Sequence, residues 1–300
     1  MIDGILPIYK EKSYTSHDVV AKLRGILKQK KIGHTGTLDP DATGVLPVCL
    51  GAATKISDML STGIKEYRTT MLLGIETDTQ DISGKVLSTG TGDVSEDRLK
   101  EAIYSFKGVY MQEPPMYSAI KINGKKLVDL ARQGIEVERK KREVEIIEIE
   151  IEKVALPEVD MRVLCSKGTY IRTLCHDIGK SLGTVACMKS LIRTKHDVFE
   201  ISQCISLKEV ENLSKEELDR HIVKVEDYFN YLNKVEVLEE YHRYSLNGNK
   251  IDIEFIKQDG IIKDCKTVRL YSMGLFIGIY EYIAEKRLYK PLKMFYVKDK

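Results

Sequence analysis

Two stretches near the middle of the chain narrow its fold most. EVEIIEIEIEKV (143–154) and VDMRVLC (159–165) alternate apolar and polar residues at period two, so both read as strands with one face in a core. EYRTTMLLGI (66–75) is a further strand, and TDTQDISGKV (77–86) is polar and turn-like. Before, between and after these lie segments of helical period. SHDVVAKLRGILKQK (16–30) places Val19, Val20, Leu23, Ile26 and Leu27 on one face, with Ser16 as the expected N-cap. SEDRLKEAIYSF (95–106) does the same with Leu99, Ala102, Ile103 and Phe106. TYIRTLCHDIGKSLG (169–183) is a helix that Gly183 stops, and Ser206/Glu209 and Ser214/Glu217 match capping boxes of two short helices. Strands and helices mix without regular βαβ spacing, which selects α+β over a doubly wound sheet.

Residues 110–143 change character, with a Pro pair, many bases and an Asn-Gly turn between AIKI and KKL that signals a hairpin. After about residue 230 the texture is β-like, and TVRLYSMGLFIGIY (267–280) is two strands around a Ser-Met-Gly turn. A boundary falls at 230–235, separating residues 1–232 from a small β-rich unit over 233–300.

The 300 residues are 43% apolar and 31% charged, and no apolar run approaches the ~20 residues of a spanning helix. MIDGILPIYK has no basic lead-in and no small-residue cleavage site, so a cytoplasmic protein is expected. The six cysteines form no CxxC pair and have no His at zinc-like spacing, which points to free thiols. No HExxH, GxxxxGK[ST] or GxGxxG occurs. Net charge is only +2, yet bases cluster in KQKK (28–31), KINGKK (121–126), ERKKRE (138–143) and EKRLYKPLK (285–293). Each is a solvated surface or part of a track for phosphates, if the runs share a face.

HTGTLDPDATG (34–44) holds two Gly, three Thr and two Asp in eleven residues. Asp39 precedes Pro40, which biases it towards an extended backbone, and Gly36 and Gly44 permit close approach. Such a loop is either a plain turn or the mount for a reactive carboxylate, and local physics leaves both open.

The longer stretch GHTGTLDPDATGVLPVCLGAATK (33–55) resembles the defining segment of bacterial tRNA pseudouridine-55 synthases, the TruB family. KEYR (65–68), GIETDTQDISG (74–84), PPMYSAIKINGKKLVDLARQGIEVER (114–139) and CSKGTYIRTLCHDIGKSLG (165–183) match in the family's order. The resemblance covers most of residues 1–200. It implies a largely antiparallel catalytic domain over 1–232 with a mobile insertion at about 110–143, and a PUA-like RNA-binding domain over 233–300. It also implies a cofactor-free, metal-free, monomeric isomerase that acts on the T-arm of tRNA by flipping out the target uridine.

The resemblance assigns the catalytic carboxylate to Asp39, which attacks C1′ or C6 or abstracts the 2′-proton; the sequence leaves these routes open. Arg172 is the arginine that pairs with it through a bidentate bond, and Tyr67 is the tyrosine that stacks on the flipped base. His34 fills the space the base leaves, and Leu191 lines the uracil pocket. Lys121, Lys125, Lys126 and Arg132 of the insertion suit phosphate contacts, and Lys10 is placed with the RNA-binding set. One segment departs from the family. YKEKSYTS (9–16) stands where DKPxGxTS is usual, so Glu11 and Ser13 replace a Pro and a Gly. That departure raises two alternatives: an RNA-binding, tRNA-folding module with secondary or lost catalysis, and a synthase acting on another RNA.

Overall fold

The computed structural model describes residues 2–257 and 266–296. At its centre is a mixed sheet of nine strands. Its main path runs Gly4–Lys10, Thr43–Leu50, Ala186–His196, Lys65–Leu73, Glu158–Cys165, Arg142–Ala155, Gly108–Gln112. Ile32–His34 pairs with Thr43–Leu50, and Phe199–Glu200 with Ala186–His196. The strands of this sheet pair antiparallel except at one place, where Thr43 and Gly44 run parallel to Ile192 and Arg193. The fold is α+β, as the mixed spacing predicts.

The period-two stretches become antiparallel neighbours. Along Lys65–Leu73 and Glu158–Cys165 every second residue is buried, and the apolar ones among them share one cluster with helix Ile171–Ser181. Thr43–Leu50 obeys a different rule. Val45 and Cys49 face one cluster while Leu46, Val48 and Leu50 face another, so the strand is covered on both faces. That accounts for a continuous apolar run where alternation would leave one face wet.

The helix expected from residue 16 spans Ser16–Ile26, but its cap is Thr15 rather than Ser16. Thr15 Oγ1 accepts from the Asp18 N–H at 3.1 Å, and the Asp18 carboxylate accepts from the Thr15 N–H at 2.8 Å. Ser16 is thereby released to turn inward, where its Oγ accepts from the Leu38 N–H at 2.9 Å. The capping boxes at Ser206/Glu209 and Ser214/Glu217 form as predicted. Helix Ile171–Ser181 ends before Gly183, whose φ of +76° completes the stop.

Between Gln112 and Arg142, which are register partners, the chain leaves the sheet as an arm. Its hairpin Lys121–Ile122/Lys125–Lys126 turns on Asn123 and Gly124, both at positive φ, and leads into helix Leu127–Arg132. From Asn233 a five-stranded sheet begins, built from Asn233–Val237, Thr267–Ser272, Leu275–Ile283, Leu288–Met294 and Ile251–Asp252. Ile279 and Phe295 from this region join Ile5, Val45 and Phe229 in one apolar cluster, and Lys55 Nζ donates to the Met294 carbonyl at 2.7 Å. Cys49, Cys165, Cys175, Cys187 and Cys204 are free thiols; Cys265 lies outside the described residues. Among the described residues no helix is long and apolar enough to cross a membrane.

Candidate active site

The loop after strand Ile32–His34 is pinned from three sides. At its start, Leu38 bonds to Ser16 of the first helix. In its middle, the Pro40 carbonyl accepts from the Ser13 N–H and from Lys10 Nζ, both at 3.0 Å. At its base, Arg193 Nε donates to the Val45 carbonyl at 2.7 Å and Nη2 to the Gly36 carbonyl at 3.3 Å. The loop rejoins the sheet at Gly44, with φ +104°, where a Cβ would lie 2.2 Å from the Arg193 carbonyl oxygen, so only glycine fits.

Held in this way, Asp39 presents a carboxylate that is 36% exposed, opening into a cleft of about 520 Å³. Arg172, at the start of helix Ile171–Ser181, is 5% exposed. Its Nη1 lies 3.4 Å from Asp39 Oδ2 and 3.4 Å from Asp81 Oδ2, while Nη2 donates to the Tyr117 carbonyl of the arm. The expected bidentate bond to Asp39 is therefore absent from this arrangement. One guanidinium is divided between two carboxylates and a carbonyl, because Asp81 competes for the same nitrogen. Burial pushes the Asp39 carboxyl pKa up; Arg172 opposes the shift and Asp81 adds to it.

Tyr67 lies on strand Lys65–Leu73 opposite Arg193 and Val163, 8% exposed, in one apolar cluster with Leu38 and Ala42 of the loop. Burial pushes its phenol pKa up. His34 is half-buried and edge-on to His17 at 5.1 Å, and its Nδ1 is buried without a hydrogen-bond partner. Burial and the His17 and Arg193 charges push its pKa down to about 4, so the ring is neutral at pH 7. Leu191 is half-buried on the cleft wall, and Arg132 of the arm reaches the same cleft. Lys121, Lys125 and Lys126 stand exposed on the hairpin, and none pairs with an acid among the described residues.

Lys10 is a correction. It is 0% exposed and donates to the carbonyls of Glu11, Tyr14 and Pro40 at 3.1, 2.5 and 3.0 Å, so it braces the Asp39 loop rather than meeting RNA. Burial pulls its pKa down to about 8. Beside it, Ser13 holds φ +71°, a conformation that favours glycine, so the altered YKEKSYTS segment keeps the turn despite the replacement. Two residues are not singled out by the sequence: Asp81, which lies in a polar, turn-like stretch that carries the resemblance without a role of its own, and the fully buried Arg193.

His196 gives the site a pH signature. It is 0% exposed, its Nε2 lies 3.1 Å from the Leu60 carbonyl, and its Cε1 would be 3.2 Å from a Cβ on Gly36. Burial and the neighbouring Arg193 and Lys65 charges push its pKa down to about 2. In the unfolded chain a histidine takes its proton near pH 6.5, so between pH 6.5 and 2 the unfolded state binds the extra proton and folding stability drops as the pH is lowered. His196→Gln removes this term. The stability of the wild type relative to His196→Gln should fall by up to about 1.4 kcal/mol per pH unit below pH 6.5. Urea midpoints of both proteins between pH 7 and 4 measure it; parallel curves would refute it.

The model described as TruB family pseudouridylate synthase (N-terminal domain) matches residues 24–171, and that of the tRNA pseudouridylate synthase B C-terminal domain matches residues 172–230. The chain is 47% identical to tRNA pseudouridine synthase B of Lachnoclostridium phytofermentans over 98% of its own length and 100% of the relative's. It is 49% identical to the protein of the same name from Alkaliphilus oremlandii over 83% of each. Among solved structures it resembles a chain of a Cbf5–Nop10–Gar1 complex with TM-score 0.73 and 27% identity, covering 99% of this chain and 86% of that one.

Proposed function

The chain belongs to the TruB family of pseudouridylate synthases and isomerises a tRNA uridine to pseudouridine, and from that premise we propose that Asp39 performs the chemistry on the T-loop uridine at position 55. The observation that carries the proposal is a carboxylate opening into a nucleoside-sized cleft with a buried guanidinium 3.4 Å away.

The reaction breaks the N1–C1′ bond, turns the uracil, joins C5 to C1′ and releases the C5 proton, while N1 takes up a proton in place of its bond to C1′. It needs one group that attacks C1′ or C6 or removes the 2′-proton, and the partly exposed Asp39 carboxylate on the cleft supports giving it that role. A T-loop base is stacked, so it must flip into the cleft at an unstacking cost of roughly a few kcal/mol. Neutral His34, with a free ring nitrogen, occupies the space the base leaves. Tyr67 supplies the aromatic face, and Leu191 closes the pocket wall. Lys121, Lys125, Lys126 and Arg132 meet the phosphates, and the arm closes over the stem-loop. Residues 233–300 serve as a PUA-like unit on the same tRNA, and the enzyme works as a cytoplasmic monomer without cofactor or metal.

The test uses T-arm RNA carrying tritium at uracil C5. The protein should release tritium from RNA with the T-loop uridine and release none when cytidine replaces that uridine while labelled uridines remain elsewhere. Release from both RNAs, or from neither, would overturn the assignment.

A further inference from the structure

We propose that Gln80 is a positioning residue that locks Asp81 against Arg172 and thereby sets the guanidinium facing Asp39. This deepens, and rests on, the reading of Asp39 and Arg172 given above. Helix Ile171–Ser181 carries Arg172, Thr173 and His176 on neighbouring positions of one side. Thr173 Oγ1 donates to Gln80 Oε1 at 2.6 Å, and Gln80 Nε2 lies 3.4 Å from His176 Nδ1. The far side of that ring is fixed as well, with His176 Nε2 2.9 Å from Glu76 Oε1. Thr173 and His176 are both buried, and the half-buried Gln80 reaches them with its amide.

The grip matters because of how Asp81 is held. Its Oδ1 is taken up inside its own turn, accepting from Thr79 Oγ1 at 2.8 Å and the Ser83 N–H at 3.0 Å. Only Oδ2 faces Arg172. The carboxylate therefore moves as its turn moves, and Gln80, inside that turn, ties it by its side chain to the arginine's helix, next to the Glu76–His176 contact on the adjoining strand. The backbone of Gln80 agrees. It sits at φ +65°, an unfavourable conformation for a residue with a side chain, and its carbonyl accepts from the Met188 N–H at 3.0 Å. A glycine there would relax the backbone. A glutamine keeps the strain and gains the bridge.

This contrast supplies the experiment, tritium release from T-arm RNA with kcat and KM measured separately. Gln80→Gly suits the backbone and deletes the bridge. Its melting temperature should be at or above that of the wild type, with kcat lowered about ten- to a hundredfold and KM within about twofold, because RNA contacts are untouched. Thr173→Val keeps the shape of the helix residue and deletes its hydroxyl, so it should lower kcat in the same sense. The double variant should be no worse than Gln80→Gly. A Gln80→Gly protein with wild-type kcat, or whose loss appears in KM alone, would overturn the proposal. Asp39→Asn run alongside separates the two readings: if it stays active, the assignment of Asp39 fails. If it is inactive while Gln80→Gly matches the wild type, only the clamp fails.

Discussion

Asp39→Asn is expected to lower tritium release from T-arm RNA by about 10⁴-fold or more, with RNA binding unchanged and no loss of stability. An amide has nearly the size of the carboxylate but is neither a nucleophile nor a base under these conditions. The shape of the cleft survives, and so do the contacts that pin the loop, because none of them uses the Asp39 side chain: they run through Leu38, Pro40, Gly36 and Val45. The stability part follows from the pKa shift. Burial raises the Asp39 carboxyl pKa, which means that the folded protein holds this charge less comfortably than the unfolded chain does. A neutral amide removes that penalty, so the melting temperature should equal or exceed that of the wild type. Active sites commonly give up stability in this manner. A variant that keeps substantial activity would remove Asp39 from the reaction. One that loses activity together with several degrees of melting temperature would assign it to the fold instead.

How far the sequence could be read depended on whether a feature had a local cause. The period-two strands, the Asn123-Gly124 turn, the Gly183 stop and the two Ser/Glu capping boxes are each written in a few adjacent residues, and all are found where expected. The cap of the first helix was missed by one residue because Thr15 and Ser16 are equally suitable caps, and what decides is Ser16's bond to Leu38, twenty-two positions away. The same holds in the site. Asp39 stands in a motif whose resemblance reaches well beyond the loop. Lys10, as a base in a loop-like stretch, looked like an RNA contact, and only the fold shows it closed in among three carbonyls. Asp81, Gln80 and Arg193 carry no local sign of their task. Their partners are 91, 93 and 148 positions distant, and a lone Asp, Gln or Arg in a polar stretch reads as solvated surface.

Arg193→Met is expected to cost about 3 kcal/mol of stability, lowering the melting temperature by about 5–10 °C, and to reduce kcat even well below that temperature. The guanidinium is 1% exposed, and no carboxylate lies within 4.0 Å of it among the described residues, so its purpose is not an ion pair. It spans the base of the loop, bonding the carbonyls of Gly36 on one side and Val45 on the other. Methionine fills much of the space and leaves both carbonyls without these donors. Loss of charge-assisted bonds to buried acceptors costs about 1.5–3 kcal/mol each, and release from burying a bare cation offsets part of it. Arg193→Lys should rescue little, since one ammonium cannot reach both carbonyls in the planar fork that a guanidinium provides. A second readout separates this stitch from ordinary packing. The Arg193 charge helps to hold His196 at about 2 and Lys65 at about 8, so removing it should raise both values and soften the acid sensitivity traced to His196. Wild-type melting and wild-type kcat in Arg193→Met would rule the stitch out. Lost kcat with a His196 pKa left in place would assign Arg193 to another contact, whereas all three changes together would tie the strand bearing Leu191 directly to the loop that presents Asp39.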